Sequence, residues 1–196
     1  MNRAGGTIRR GYTLVEIMIS IAVLGIMAAA AVPLFQPDVA AQLEAFGRIV
    51  AADLAHARDL ATTNNSKYRL TFEKTDNRYY LEHSGTNSAL NTLPTTIYRH
   101  SLNTAVRQYT DLDELPQLGA GAFLETVLSP AAPPTAVTTV EFGPLGSTTQ
   151  SAETVVWLSS GAGDGKRYVA VRINPTTGLA DVDPITAVAP ASASGS

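Results

Sequence analysis

Few residues in this chain have the types and spacing that could do chemistry, and most of them read more simply as structure. Gly161-Ala162-Gly163-Asp164-Gly165-Lys166 suggests a phosphate loop, in which backbone N–H groups and a lysine cradle phosphate oxygens. A Walker A loop needs four residues between its outer glycines and a Ser or Thr after the lysine. Here there are three, then Arg167, so the segment reads as a hairpin turn closed by Asp-Gly. His56, His83 and His100 are dispersed, and none has a second histidine or a carboxylate at the i, i+4 spacing of a helical metal site, so they read as surface or loop residues. Asp111, Asp113 and Glu114 offer oxygens to a calcium ion but lack the glycine and ligand series of an EF-hand, which leaves a solvated acidic loop. There is no cysteine and no Gly-x-Ser-x-Gly elbow, so nucleophilic catalysis has no recognisable centre. Trp157 reads as a core residue of a strand. The expectation is a protein with no catalytic residues, no metal and no cofactor.

One acid stands apart. Glu16 heads the uncharged run Ile17 to Phe35, whose 19 residues cover about 30 Å at roughly 1.5 Å per residue, the thickness of a bilayer core. A carboxylate at the centre of a membrane helix costs on the order of 2.5–3.5 kcal/mol, so one at its head calls for a task, although the helix dipole favours an acid in the first turn. Arg3, Arg9 and Arg10 precede the run and no acid does, which puts residues 1–11 in the cytoplasm and exports the rest. A secretory signal cut among Ala28 to Ala31 would have a shorter apolar region, of about 7–15 residues. Neither that reading nor an uncut anchor explains Glu16.

Gly11-Tyr12-Thr13-Leu14-Val15-Glu16 resembles the processing site of type IV prepilins and type II secretion pseudopilins. The resemblance implies cleavage after Gly11 by a membrane prepilin peptidase, which also methylates the new amine of Tyr12. It further implies that Glu16 pairs with the N-terminal amine of a neighbouring subunit during assembly. Gly25 and Pro33 match the positions at which pilin helices carry a helix-weakening glycine and a proline, and both residues weaken helices on physical grounds. Tyr12 departs from the more frequent Phe and keeps the aromatic character. Implied partners are that peptidase, other major and minor pseudopilins or pilins, an inner-membrane assembly platform and membrane lipid. The implied location is the inner membrane, single-pass, with the C-terminal domain in the periplasm or outside the cell.

The 196 residues divide into a leader (1–11), the membrane and assembly half of a long N-terminal helix (12–35), its exported half (36–66), a β-rich globular domain (67–186) and a small, polar tail (187–196). Loss of residues 1–11 removes three arginines, so the formal charge goes from −3 to −6. An acidic exported domain argues against a broad nucleic-acid surface. Its stability must come from the core, since no disulfide can form.

After a cap at Asp38, Val39, Leu43, Phe46, Val50, Leu54, Ala57 and Ala61 recur at spacings of three and four, which predicts one helix continuous with the membrane segment and weakest at Gly47. Period-two alternation from Tyr68 to Phe72, followed after Lys74 to Asn77 by Arg78-Tyr79-Tyr80-Leu81-Glu82, predicts a hairpin. Residues 83–118 read as loops with short strands near Ile97 and Tyr98 and near Ala105 to Tyr109. Strands over Ala136 to Phe142, Thr154 to Leu158, Tyr168 to Ile173 and Leu179 to Val182, joined by Gly- and Pro-rich turns, predict a four-stranded antiparallel meander.

The order helix, hairpin, loops, meander is similar to the H-type minor pseudopilins and FimT-like minor pilins. Val140-x-Phe142-x-x-x-Gly146, Val169-x-Val171 and Thr177-Gly178 add to the likeness. It implies an α+β pilin-like fold, with a long transmembrane helix packed on an antiparallel domain of one or two sheets. The implied function is that of a structural minor pseudopilin near the tip of a type II secretion pseudopilus. The rival is a minor pilin of a type IV pilus or DNA-uptake system. In FimT-like proteins DNA binding depends on a basic C-terminal segment, whereas Leu-Ala-Asp-Val-Asp-Pro follows Thr177-Gly178 here, and Arg167 and Arg172 alone would hold phosphate weakly.

Overall fold

The computed structural model describes residues 12–31, 39–95, 100–115, 121–129 and 134–191. The chain forms two compact units, residues 1–37 and 38–196. The first contains α1 (Leu14–Ala31), 18 residues and so about 27 Å long. Among the described residues no helix is long and apolar enough to cross a membrane. The expected span runs on to Phe35, and its last residues, with Pro33, the cap at Asp38 and the expected continuity of the two helices, lie outside the described residues. So do Gly11, the expected strand at Ile97 and Tyr98, and the end of the tail.

The second unit is built on α2 (Val39–Thr63), which buries Leu43, Phe46, Val50, Leu54, Ala57 and Ala61 as the three-and-four spacing predicts. Asn65, in the left-handed region (φ 46), closes it: the Ser66 N–H reaches the Ala61 carbonyl and the Asn65 N–H the Thr62 carbonyl, which satisfies two carbonyls of the last turn. Gly47 is a close-packing site as well as a propensity defect. A Cβ there would stand 3.1 Å from Val182 Cγ1 and 3.5 Å from both Val169 methyls, so the missing side chain lets the helix lie against two strands.

Two antiparallel sheets pack on α2. One has the order β3-β2-β1-β6 and the other β5-β4-β7-β8-β9. β1 (Tyr68–Glu73) and β2 (Arg78–His83) form the expected hairpin, turning at Asn77 (φ 50). β3 (Arg107–Asp111) lies where a short strand was expected and pairs with β2. The expected four-stranded meander is corrected in two respects. β6 (Thr139–Phe142) leaves it for the first sheet, with Tyr68 opposite Phe142 and Leu70 opposite Val140. β4 (Ala122–Ser129) and β5 (Thr135–Ala136) then extend the second sheet beyond β7 (Thr154–Ser160), β8 (Arg167–Ile173) and β9 (Ala180–Val182). Periodicity shows that a segment is a strand but not which strand it pairs with. β4 escaped notice because its register shifts between Leu124 and Thr126, which breaks the alternation at Glu125.

The core lies between α2 and the inner faces of both sheets. Phe46, Val50 and Leu54 meet Tyr68 and Leu70, Val140 and Phe142, Val156 and Leu158, and Val169, Val171 and Ile173. At about 1.5–3 kcal/mol for each large apolar side chain, this core can hold the unit without a disulfide. At Gly178 (φ 65) no residue with a Cβ fits, because it would collide with the Gly146 carbonyl. Arg58 of α2 seals the same junction, with Nε donating to the Thr177 carbonyl at 2.8 Å.

Candidate functional site

The head of α1 holds the residues that the sequence singled out. Thr13 caps the helix, its hydroxyl accepting the Glu16 N–H at 3.2 Å and its carbonyl the Ile17 N–H at 3.2 Å. Glu16 therefore sits in the first turn, where unpaired N–H groups and the helix dipole favour a carboxylate. It is exposed, and among the described residues no cation reaches it. Tyr12 is 79% exposed. The side chains of α1 through Ala28 are exposed too, a continuous apolar surface that water does not favour, so it calls for lipid or other helices around it. A Cβ at Gly25 would meet nothing within 4 Å, so its absence serves no contact within the chain. Thr13 as cap is the one functional detail of this turn missed in the sequence, although Thr three residues before Glu is a capping-box pattern.

Residues 7–32, which enclose this turn, match the family described as the prokaryotic N-terminal methylation motif. The chain carries the prepilin-type methylation motif. No curated protein sequence matches it. Among solved structures it is similar to two crystal forms of the type IV minor pilin FimU of Pseudomonas aeruginosa. One shares 13% identity over 74% of this chain and 89% of that one, at a TM-score of 0.43. The other shares 16% over 72% and 93%, at 0.44.

Away from that motif, the segment Gly161 to Lys166 is the β7–β8 turn. The Lys166 ammonium sits 2.9 Å from Glu125, with the Tyr168 ring 5.2 Å away, so it is engaged within the domain. Burial works against the Glu125 charge, but the hydrogen bonds from Lys166 and Ser159 outweigh it and lower its pKa. Trp157 lies on β7 between buried neighbours but is itself half-buried and outside the core, which corrects the sequence reading. Arg172 alternates with Val171 and Ile173, and Glu153 (3.0 Å) and Asp183 (2.6 Å) flank it. Arg167 donates to the carbonyls of Asp164 and Lys166. Both arginines are committed to partners within the chain.

The histidines are the larger correction. His100 is buried, with Nε2 at 2.9 Å from Glu114 and 3.9 Å from Asp111. These three residues are the grouping with metal-ligand spacing among the described residues. The Leu102 N–H points at His100 Nδ1, at 3.2 Å, so Nδ1 is the acceptor nitrogen and Nε2 carries the proton. A metal-bound histidine shows the opposite polarity, donating from its second nitrogen. That buried nitrogen lies near both carboxylates yet makes no well-aligned hydrogen bond among the described residues, so charge proximity rather than a formed bond relates the segment before β3 to the one after it.

His83 stands between Ser66 (Oγ to Nε2, 2.7 Å) and Asn91 (Oδ1 to Nδ1, 2.8 Å). The Asn91 oxygen accepts from Nδ1, so Nε2 accepts from the Ser66 hydroxyl, which is the polarity of a nucleophile, base and orienting group. The surroundings deny it that chemistry. Gly85 packs so closely on the pair that a Cβ would collide with both Ser66 Oγ and His83 Nε2, and the Ser66 N–H is spent on Ala61. The chain of hydrogen bonds instead pins the segment after β2 to the end of α2.

Asp53 was missed altogether, because an acid on a helix reads as solvated. It sits on the flank of α2 and only half reaches solvent. Its Oδ2 accepts from the Tyr79 hydroxyl at 2.7 Å and from the Thr110 hydroxyl at 2.9 Å. Burial raises its pKa, against the opposing pull of those two hydrogen bonds and of His56. The Tyr79 hydroxyl is raised well above its ordinary value by burial and by the Asp53 charge.

Proposed function

We propose that this chain is a minor pseudopilin, cut after Gly11, methylated at Tyr12 and assembled through α1 into a type II secretion pseudopilus. The single observation that carries the reading is the methylation motif over residues 7–32, joined to an exposed apolar helix with one carboxylate in its first turn. In the precursor the helix anchors the protein in the inner membrane, leader inside and domain outside. In the filament it packs among neighbouring helices, which are as apolar as lipid, so the transfer needs no new contact type. Glu16 supplies the directional element. Its carboxylate attracts the free amine of the neighbouring Tyr12, and that attraction is strongest in the low-dielectric surroundings of packed helices.

Two observations weigh on the choice of machine. The chain left after residue 11 is acidic, and Arg167 and Arg172 are engaged by acids and carbonyls of the same domain. A DNA-uptake pilin needs cations free to displace counterions from phosphate, so protein secretion is the better reading. The test is release of extracellular enzymes from a deletion strain, with a cytoplasmic marker to control for lysis. Loss of release restored by the wild-type gene supports a secretion pseudopilus, and unaltered release transfers the assignment to a pilus or DNA-uptake system.

A further inference from the structure

Beside α2, a cavity of about 290 Å³ opens between the helix flank and the inner faces of β2 and β3. That is at the small end of the ~300–1,000 Å³ of ligand sites, so it has room for one side chain or a small molecule rather than a nucleotide. Its walls include Ile49, Leu70, Leu81 and Leu115, with His56 also contributing to the lining. Its polar residues are placed less symmetrically. Tyr79 and Thr110 aim both their hydroxyls at Asp53 Oδ2, which uses up their protons. The Gln108 amide nitrogen donates outward to the Pro94 carbonyl, which fixes the amide orientation and leaves its oxygen as the unused atom. Neither Asp53 Oδ1 nor Gln108 Oε1 carries a hydrogen bond among the described residues. A half-buried negative charge with one oxygen free of hydrogen bonds among the described residues, set among apolar walls, wants a ligand with a positive, donating head and a hydrocarbon stem.

We infer that this cleft is a binding site for a primary alkylammonium group, presented by a lysine side chain of a neighbouring subunit or by a free aliphatic amine. A guanidinium fits less well. Its planar fork is matched by two carboxylate oxygens, whereas Oδ2 is already taken by two hydroxyls, which leaves one oxygen for a point charge with rotatable donors. The methylene stem lies against the leucine and isoleucine walls, in the way lysine stems cover apolar surface elsewhere. The raised pKa of Asp53 agrees with a carboxylate held in poor solvent, and an ammonium in the cleft would relieve it.

The test uses the full chain in detergent micelles, with methyl NMR of Ile49, Leu81 and Leu115 during titration with Nα-acetyl-lysine amide. The uncharged control, which keeps the four-carbon stem and lacks the ammonium, is Nα-acetyl-norleucine amide, and Nα-acetyl-arginine amide tests the head group. Saturable shifts are expected with the lysine probe and at least about tenfold weaker binding with norleucine, the loss of one charge-assisted hydrogen bond. Asp53→Asn keeps an oxygen for Tyr79 and Thr110, so its methyl spectrum should remain native while lysine-probe binding falls by a similar factor. Equal binding of lysine and norleucine probes, no saturable shift, or undiminished binding by a folded Asp53→Asn protein overturns the inference. The two sources are separated in cells, an arm that rests on the filament reading. Reduced incorporation of Asp53→Asn into sheared filaments assigns the site to a subunit lysine, and wild-type incorporation with lost probe binding assigns it to a free amine. Failure of the filament reading itself would show in the secretion and incorporation assays and leave the probe titration unaffected.

Discussion

Tyr79→Phe removes a single hydroxyl from a ring that is 2% exposed, and it leaves the ring packing on Phe72 in place. What is lost is the 2.7 Å hydrogen bond to Asp53 Oδ2, after which Thr110 is the one remaining donor to that oxygen among the described residues. A hydrogen bond to a charged partner contributes about 1.5–3 kcal/mol. At roughly 2–4 °C per kcal/mol for a chain of this size, the melting temperature should fall by about 3–12 °C. The size of the loss should depend on pH, with a sign fixed by Asp53. Its pKa in the folded protein lies above the ordinary value of 3.8. The stability linked to its proton is therefore fully present below that value and is lost as pH rises through the folded one. The Tyr79 hydroxyl opposes the rise, so removing it pushes the folded value further up and widens the window over which stability is lost. Thermal unfolding followed by circular dichroism at neutral and at acid pH, in wild type, Tyr79→Phe, Asp53→Asn and the double variant, completes a cycle. Tyr80→Phe, whose hydroxyl makes no hydrogen bond among the described residues, is the control. A neutral-pH cost for Tyr79→Phe below about 0.5 kcal/mol, or one that is the same at both pH values or in the Asp53→Asn background, would refute the reasoning.

Glu16→Gln should leave the protein in the membrane and processed at Tyr12, yet abolish incorporation into filaments when it is the only copy, as read by shearing and immunoblot. Gly178→Ala should cost more than about 1 kcal/mol in chemical denaturation, since it combines a left-handed φ of 65 with a collision against the Gly146 carbonyl. Gly47→Leu should cost about 1–3 kcal/mol by driving Val182 and Val169 away from α2, and a fully stable variant would show that the helix can shift to make room. Zinc and chelator should both leave the melting temperature unchanged, because His100 Nδ1 accepts from the Leu102 N–H, which leaves the proton on the nitrogen nearest Asp111 and Glu114. A zinc-dependent rise would reverse that tautomer assignment.

The sequence makes legible whatever is local and periodic. The α2 stripe from Leu43 to Ala61 and the alternation of β1 follow from spacings of three, four and two and are found buried as expected, whereas Val39 is only partly buried and β2 buries Tyr79, Tyr80 and Leu81 in succession. The motif around Gly11 and Glu16 was legible because it is contiguous. Partnership was not legible. Nothing within Thr139–Phe142 says that its partner is Tyr68–Thr71, some seventy residues away, and the irregularity at Glu125 concealed β4. The polar groupings were hidden for the same reason. Asp53, Tyr79 and Thr110 come from three elements, as do Ser66, His83 and Asn91, and each looks like an ordinary surface residue until the fold brings it to the others. His100 was misjudged because its acids lie eleven and fourteen positions along the chain, too far for any helical spacing to reveal.

The junction of Gly47 with Val169 and Val182 has a bearing on how the protein is made. Helix α2 is the first part of the domain to leave the ribosome, and its side at Gly47 waits for β8 and β9, which are the last. Contacts spanning more than a hundred residues are slow to form. As the chain is made, β1, β6 and β7 can cover part of the stripe of Phe46, Val50 and Leu54, and the side of the helix at Gly47 stays open until β8 and β9 are present. A C-terminal truncation before β8 would leave a sticky amphipathic helix attached to an apolar one. Completion of the domain is thus set at the end of synthesis, when the final strands either close over this side of the first helix or leave it open to proteases and neighbours.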